Sequence, residues 1–214
     1  MDAKTRTSAD QAYAHLRERL VAGEFAAGTR LTEWQVAGEL GTSRTPVREA
    51  MRRLVSEGFL QFKPNFGTFV GSWSVTEINQ LFELRALLES EVAAAAAQHI
   101  GAEQIHQLVS LQDQIEAQGP TLDSANLARI AVLNRDFHRV IAEASDRARL
   151  VGMLTNAIEA PVVQQTFRRY SVLQLQRSFH HHRELIDAFS AGDSAWAQAA
   201  MNCHVRAGRF AMLG

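Results

Sequence analysis

The sequence predicts a mainly α-helical protein: an N-terminal winged helix-turn-helix of three helices and a β-hairpin wing, followed by an all-α bundle of about six helices. Three observations carry that expectation. Apolar residues recur at helical spacing through most of the 214 residues. Strand-type segments are confined to a short stretch around residues 59–71. Four prolines and 13 glycines are spread over the length, which leaves little room for long linkers.

A first helix is expected over Ala9–Ala22, with Ser8 as N-cap and Tyr13, Leu16, Leu20 and Val21 on its apolar face. Gly23 ends it, and EFAAGTR is read as a loop. Thr32 caps a short helix, EWQVAGEL, which stops at Gly41. Ser43 caps a third helix running through Glu57, with Val47, Met51, Leu54 and Val55 facing inward and Pro46 tolerated in the first turn. The runs FLQFK and GTFVG, joined by PNF, read as a hairpin. Helix, helix, helix, hairpin is the order of a winged helix-turn-helix.

From Ser74 onward the pattern is helical: 74–99, 102–118, 122–144, 147–169, 172–191 and 193–212. Short breaks between them predict a bundle. Two domains are therefore expected, residues 1–73 as the winged helix-turn-helix and 74–214 as the helical bundle.

Charge follows the same division. Residues 1–73 carry ten basic against eight acidic side chains, residues 74–214 twelve against fifteen. Between Gly41 and Lys63, five basic groups face only Glu49 and Glu57, a local footprint suited to phosphate. The lone Cys203 excludes an intrachain disulfide and is expected as a reduced, buried thiol. With no signal-like or membrane-length apolar run, a cytoplasmic location without membrane contact is expected.

Arg44 and Arg48 lie four residues apart at the start of the third helix, hence on one face, with Arg52 a turn further. Arginine is the commonest reader of guanine O6 and N7. The hydroxyls of Ser43 and Thr45, beside the free N–H groups of a helix start, suit phosphate oxygens. Lys63, Asn65 and Gly67 form the tip of a basic wing.

With these residues in place, 9–71 resemble the DNA-binding domain of the GntR family. The resemblance rests on LRERLVAGEFAAGTRLTEWQVAGELGTSRTPVREAMRRLVSEGFL and NFGTFV. It implies operator contacts by Arg44, Thr45 and Arg48 and a wing tip at Gly67. Trp34 and Phe66 depart from it, standing where the family often has Arg.

The second half holds seven of the eight histidines. Asn134 and His138 are an i, i+4 pair. His182 and His204 lie at similar depth on either side of the turn at Gly192-Asp193, roughly 15 Å from it, so both can face the same point as His138. Three imidazoles and one oxygen in a bundle core would suit a divalent transition metal. On spacing alone, a metal site and an ordinary histidine-containing core both remain open.

Residues 74–212 resemble the all-helical effector-binding (FCD) domain of FadR-type GntR regulators, through LFELRALLESEVAAAAA, NRDFHRVIAEAS, HRELIDAFSAGD and AAMNCHV. That implies a divalent metal, zinc or nickel, on Asn134, His138, His182 and His204, with Asn134 standing where an Asp is common. It further implies a small carboxylate effector and a homodimer on an inverted-repeat operator. Arg85 is a candidate partner for the carboxylate, its alternative being a salt bridge to Glu89. The expected function is a ligand-responsive repressor and not an enzyme. A metal-dependent enzyme in the helical domain, or a DNA binder without a ligand, are the alternatives.

Overall fold

Helix α1 (Ser8–Val21) begins one residue earlier than its expected start, because Thr7 and not Ser8 caps it: Thr7 Oγ1 accepts from Asp10 N while the Asp10 carboxylate accepts from Thr7 N. This and all that follows come from a computed structural model, which describes residues 7–158 and 166–213. By its contacts the chain divides into two units, Met1–Trp73 and Ser74–Gly214.

In the first unit, Ala12, Leu16 and Leu20 recur every four residues and form the buried stripe of α1. Residues 24–30 are expected as loop, yet Arg30–Leu31 form strand β1. Helix α2 (Glu33–Leu40) is capped by Thr32 and ends at Gly41, whose φ of 61° is a left-handed conformation that glycine adopts without penalty. Helix α3 (Arg44–Ser56) buries Val47, Ala50, Met51 and Leu54. Strands β2 (Leu60–Lys63) and β3 (Gly67–Val70) form the expected hairpin, closed by the pair Lys63 and Gly67. β1 adds to the outer side of β3 with Arg30 opposite Phe69, giving an antiparallel sheet in the order β1-β3-β2. Leu16, Leu20, Val36, Val47, Leu54, Phe59 and Leu60 belong to one apolar core.

The second unit has α4 (Val75–His99), α5 (Ala102–Ala117), α6 (Ser124–Ala144), α7 (Ala148–Ile158), a 3₁₀ turn (Thr166–Arg169), α8 (Val172–Ser190) and α9 (Ser194–Leu213). α4 packs against α6, α7, α8 and α9. Its Val92, Ala93, Ala95, Ala96 and Ala97 are all buried, and side chains this small let neighbouring backbones approach closely. α5 packs on α6 and α8. The single helix expected over 147–169 is not found: α7 ends at Ile158 and Thr166–Arg169 is 3₁₀, with 159–165 outside the described residues. Phe167 and Tyr170 turn into an apolar cluster with Leu127, Ile130 and Phe179, so tertiary burial shapes the chain here against its helical periodicity. No helix among the described residues is long and apolar enough to cross a membrane.

Candidate functional site

Two groups of side chains are candidates, one in each unit. In the first, the amphipathic pattern of α3 turns Arg44, Arg48 and Arg52 outward as its apolar residues turn in. Ser43 stands at the N-cap in extended backbone, but its hydroxyl makes no capping hydrogen bond. The cause is local. Pro46 occupies the third helical position, where a cap serine would find an N–H, and proline has none. The cap function expected of Ser43 is thus absent, and its hydroxyl lies exposed beside exposed Thr45.

Arg44 and Arg48 are not merely solvated. Glu33, the first residue of α2, accepts Arg48 Nε at 2.7 Å and Arg48 Nη2 at 2.9 Å on its two oxygens, and Arg44 Nη2 at 3.0 Å. The hydrogen bonds from Arg48 are the largest influence on its carboxyl, which Arg48 and Arg44 hold at about 2 against a smaller opposing push from burial. Sequence reasoning missed this residue. An acid at a helix start reads as a partner for the helix dipole, and nothing local points to pairing 11 and 15 positions away.

On the wing, Lys63 and Asn65 are exposed, with Asn65 in the left-handed region at φ 65° and Gly67 at φ 108°. The Lys63 ammonium lies 5.1 Å from the centre of the Phe69 ring. The Arg30 side chain lies close to Gly67: a Cβ there would stand 3.1 Å from Arg30 Nε. Arg30 therefore brings a further cation to the wing tip, one that a loop over residues 24–30 does not predict. Trp34 and Phe66 are 75% and 66% exposed, large apolar surfaces on either side of the basic groups in sequence.

In the helical unit, α6, α8 and α9 bring His138, His182 and His204 together. All three are buried, and one nitrogen from each lies within 4.8 Å of the others. His138 Nε2 and His204 Nε2 are 3.2 Å apart, and Phe137 stacks on the His182 ring with centroids 4.2 Å apart. His182 Nδ1 donates to Gln112 Oε1 at 2.7 Å. The orientation of that amide is set by Glu116, which accepts from Gln112 Nε2 at 2.8 Å. His182 Nε2 is left buried with no partner among the described residues, as is His204 Nδ1.

His138 Nδ1 stands 3.0 Å from Glu89 Oε2, and Arg85 Nε donates to Glu89 Oε1 at 2.8 Å. Burial drives the Glu89 carboxyl upward, but the Arg85 charge, with His138 second, overcomes it and leaves the group at about 2. Burial, reinforced by the neighbouring imidazoles, drives His182 and His204 well below the ordinary histidine value. Both are neutral at pH 7, the form that ligates a metal.

The remaining candidates divide. Asn134, one turn before His138, has a buried Oδ1 without a partner among the described residues. Arg85 is buried and takes the alternative foreseen for it, the salt bridge to Glu89; among the described residues no acceptor bonds its Nη groups. A small cavity is lined by Glu89, Val92, His138, Ile141, Leu154 and Met201. His99 bonds the Ala95 carbonyl of its own helix, and Asp136 pairs with Arg139. Cys203, expected to be buried, is exposed: its neighbour His204 faces the core, and adjacent helical positions point about 100° apart. The contacts of Glu89 with His138 and of Gln112 with His182 are not legible in the sequence, because each lies on a different helix from the histidine it holds.

Comparison with known proteins places these sites in context. Residues 8–70 match the model for bacterial regulatory proteins of the gntR family, and residues 80–207 match the FCD domain. A probable D-xylose utilization operon transcriptional repressor of Paenarthrobacter nicotinovorans is 29% identical, over 95% of this chain and 88% of its own length. The HTH-type transcriptional repressor RspR of Escherichia coli K12 is 26% identical, over 92% and 85%. Among solved structures, E. coli McbR/YncC shares the fold with a TM-score of 0.74 at 22% identity, over 94% of this chain and 95% of that one. The matched families and relatives are DNA-binding transcriptional regulators, not enzymes.

Proposed function

Since the chain belongs to the GntR family of transcriptional regulators and carries an FCD domain, we propose that it is a homodimeric repressor whose helical unit senses a small carboxylate at a divalent-metal site. Ser43, Arg44, Thr45, Arg48 and Arg52, with Lys63, Asn65 and Gly67 of the wing, would grip an inverted-repeat operator. The repressor sense follows the description of two relatives named above.

The observation that carries the sensing half is the convergence of His138, His182 and His204, one nitrogen of each within 4.8 Å of the others, with His182 Nε2 buried and without a partner among the described residues. Buried polar atoms without partners are costly, and a metal ion would relieve that cost at His182 Nε2. The 3.2 Å between His138 Nε2 and His204 Nε2 suits two ligands of one ion, since Zn–N bonds of about 2.0–2.1 Å put neighbouring ligands roughly 3.0–3.4 Å apart. The unpartnered Asn134 Oδ1 fits as an oxygen donor, and the donor set therefore fits zinc or nickel. Gln112 and Glu89 orient His182 and His138 from outside. With a neutral Asn134 in place of a carboxylate, a bound dication keeps its full charge and favours an anionic further ligand. The Nη groups of Arg85 supply donors for the same anion.

The test is metal analysis of the purified chain after incubation with zinc or nickel, followed by thermal-shift screening of carboxylic acids and release of operator DNA. Stoichiometric metal that is lost in His182→Ala, with one acid that both stabilises the protein and releases DNA, is the expected result. Absence of metal under those conditions would confine the histidines to packing or to direct contacts with the effector.

A further inference from the structure

We infer that Glu33 is a positioning residue for base recognition: by clasping Arg48 and Arg44 together it sets the planes in which their guanidinium groups meet DNA. The inference rests on the proposed role of those two arginines. Thr32 caps α2 through Gln35 N, which fixes Glu33 at the first helical position. From there its carboxylate reaches across to the start of α3. The side chain of Glu33 is 24% exposed, against 62% for Arg44 and 48% for Arg48, so the acid sits beneath the two bases and not in front of them.

The geometry of the clasp leaves the reading edge open. A guanidinium has five N–H donors in a rigid fork. Arg48 gives Nε and one Nη2 proton to Glu33. The pair used side by side against guanine O6 and N7, Nη1 with the other Nη2 proton, remains available. A long side chain that would otherwise sample many rotamers is held in one, at the helix end that enters the major groove. The competing role for a carboxylate here is repulsion of phosphate, and the two roles differ in what they change. Repulsion lowers affinity for every duplex alike, whereas positioning changes the preference among duplexes.

A randomised duplex pool is enriched on the wild-type protein. Affinities for the enriched duplex and a scrambled one are then measured at several salt concentrations for wild type, Glu33→Gln, Glu33→Asp and Arg48→Ala, with thermal melting to verify folding. Glu33→Gln is expected to retain its binding to scrambled duplex but lose about ten-fold or more of its preference for the enriched one, concentrated at guanine positions. Glu33→Asp keeps the charge and shortens the reach; it is expected to lose preference too, and wild-type preference in it would overturn the inference. So would a Glu33→Gln protein that binds both duplexes more tightly by one common factor. If Arg48→Ala itself retains the preference, the reading of the recognition helix fails, and the inference with it. Loss in Arg48→Ala but not in the Glu33 variants defeats the inference alone.

Discussion

Gln112 and His182, 70 positions apart in sequence, meet at 2.7 Å between Oε1 and Nδ1 in the interior of the helical unit. The bond fixes the tautomer of His182 and leaves its Nε2 as the lone-pair nitrogen. Gln112→Ala should therefore weaken zinc binding by about 10–100-fold, the usual effect of removing an outer partner of a ligating histidine. Competition against a chromophoric chelator measures it. Unchanged affinity would mean that Phe137 stacking alone orients the ring.

Arg48→Ala should abolish binding to the native promoter fragment while leaving the helical circular dichroism intact. Arg48 is exposed and on the outer face of α3, so its loss removes no core contact. Undiminished gel retardation by that variant would refute the assigned recognition face.

Glu89 is 2% exposed and is held between Arg85 and His138. Replacing it by Ala strands the Arg85 cation in the interior, and breaking a buried pair from one side costs about 3–5 kcal/mol. Urea unfolding of the metal-free protein should register a loss of that order. A loss under about 1 kcal/mol would mean that solvent reaches Arg85 freely, as for a surface pair.

Tyr170 has its phenol pushed up to about 12 by burial, and Tyr13 is raised by burial and by its hydrogen bond to Glu57. Unfolded tyrosine ionises near 10. Above that value the unfolded chain releases protons that the folded chain retains, so stability is complete below about pH 10 and falls as the pH rises toward 12. Alkaline difference spectroscopy should show the Tyr170 phenolate appearing together with unfolding. Ionisation of both tyrosines near pH 10 in protein that still melts cooperatively would contradict the burial of Tyr170.

How much was legible depended on the range of the interaction involved. The fold class, the helices α2–α6, α8 and α9 to within two residues and the β2–β3 hairpin follow from periodicity, caps and turn residues that act over a few positions. The meeting of His138, His182 and His204 could be read because helical rise and one short turn fix the depth of two of them. Strand β1 could not, since two residues carry no alternation and Arg30 is recruited by Phe69 far along the chain. Glu33 and Gln112 were hidden for a related reason: each is an unremarked polar residue on its own helix and gains meaning only from a partner on another, as does the second role of Glu89 beside His138. Cys203 was misjudged because the general preference of cysteine for burial outweighed its position one residue from an inward-facing His204.

The missing cap at Ser43 has a dynamic consequence. With Pro46 unable to offer its amide, the first turn of α3 is held by fewer hydrogen bonds than the starts of α1 or α4, which both close a reciprocal box. Amide hydrogen exchange at Thr45 and Val47 in free protein should accordingly run faster than at Met51 or Leu54. A phosphate oxygen received by that turn would slow it, so binding would be visible as order arriving at the beginning of one helix.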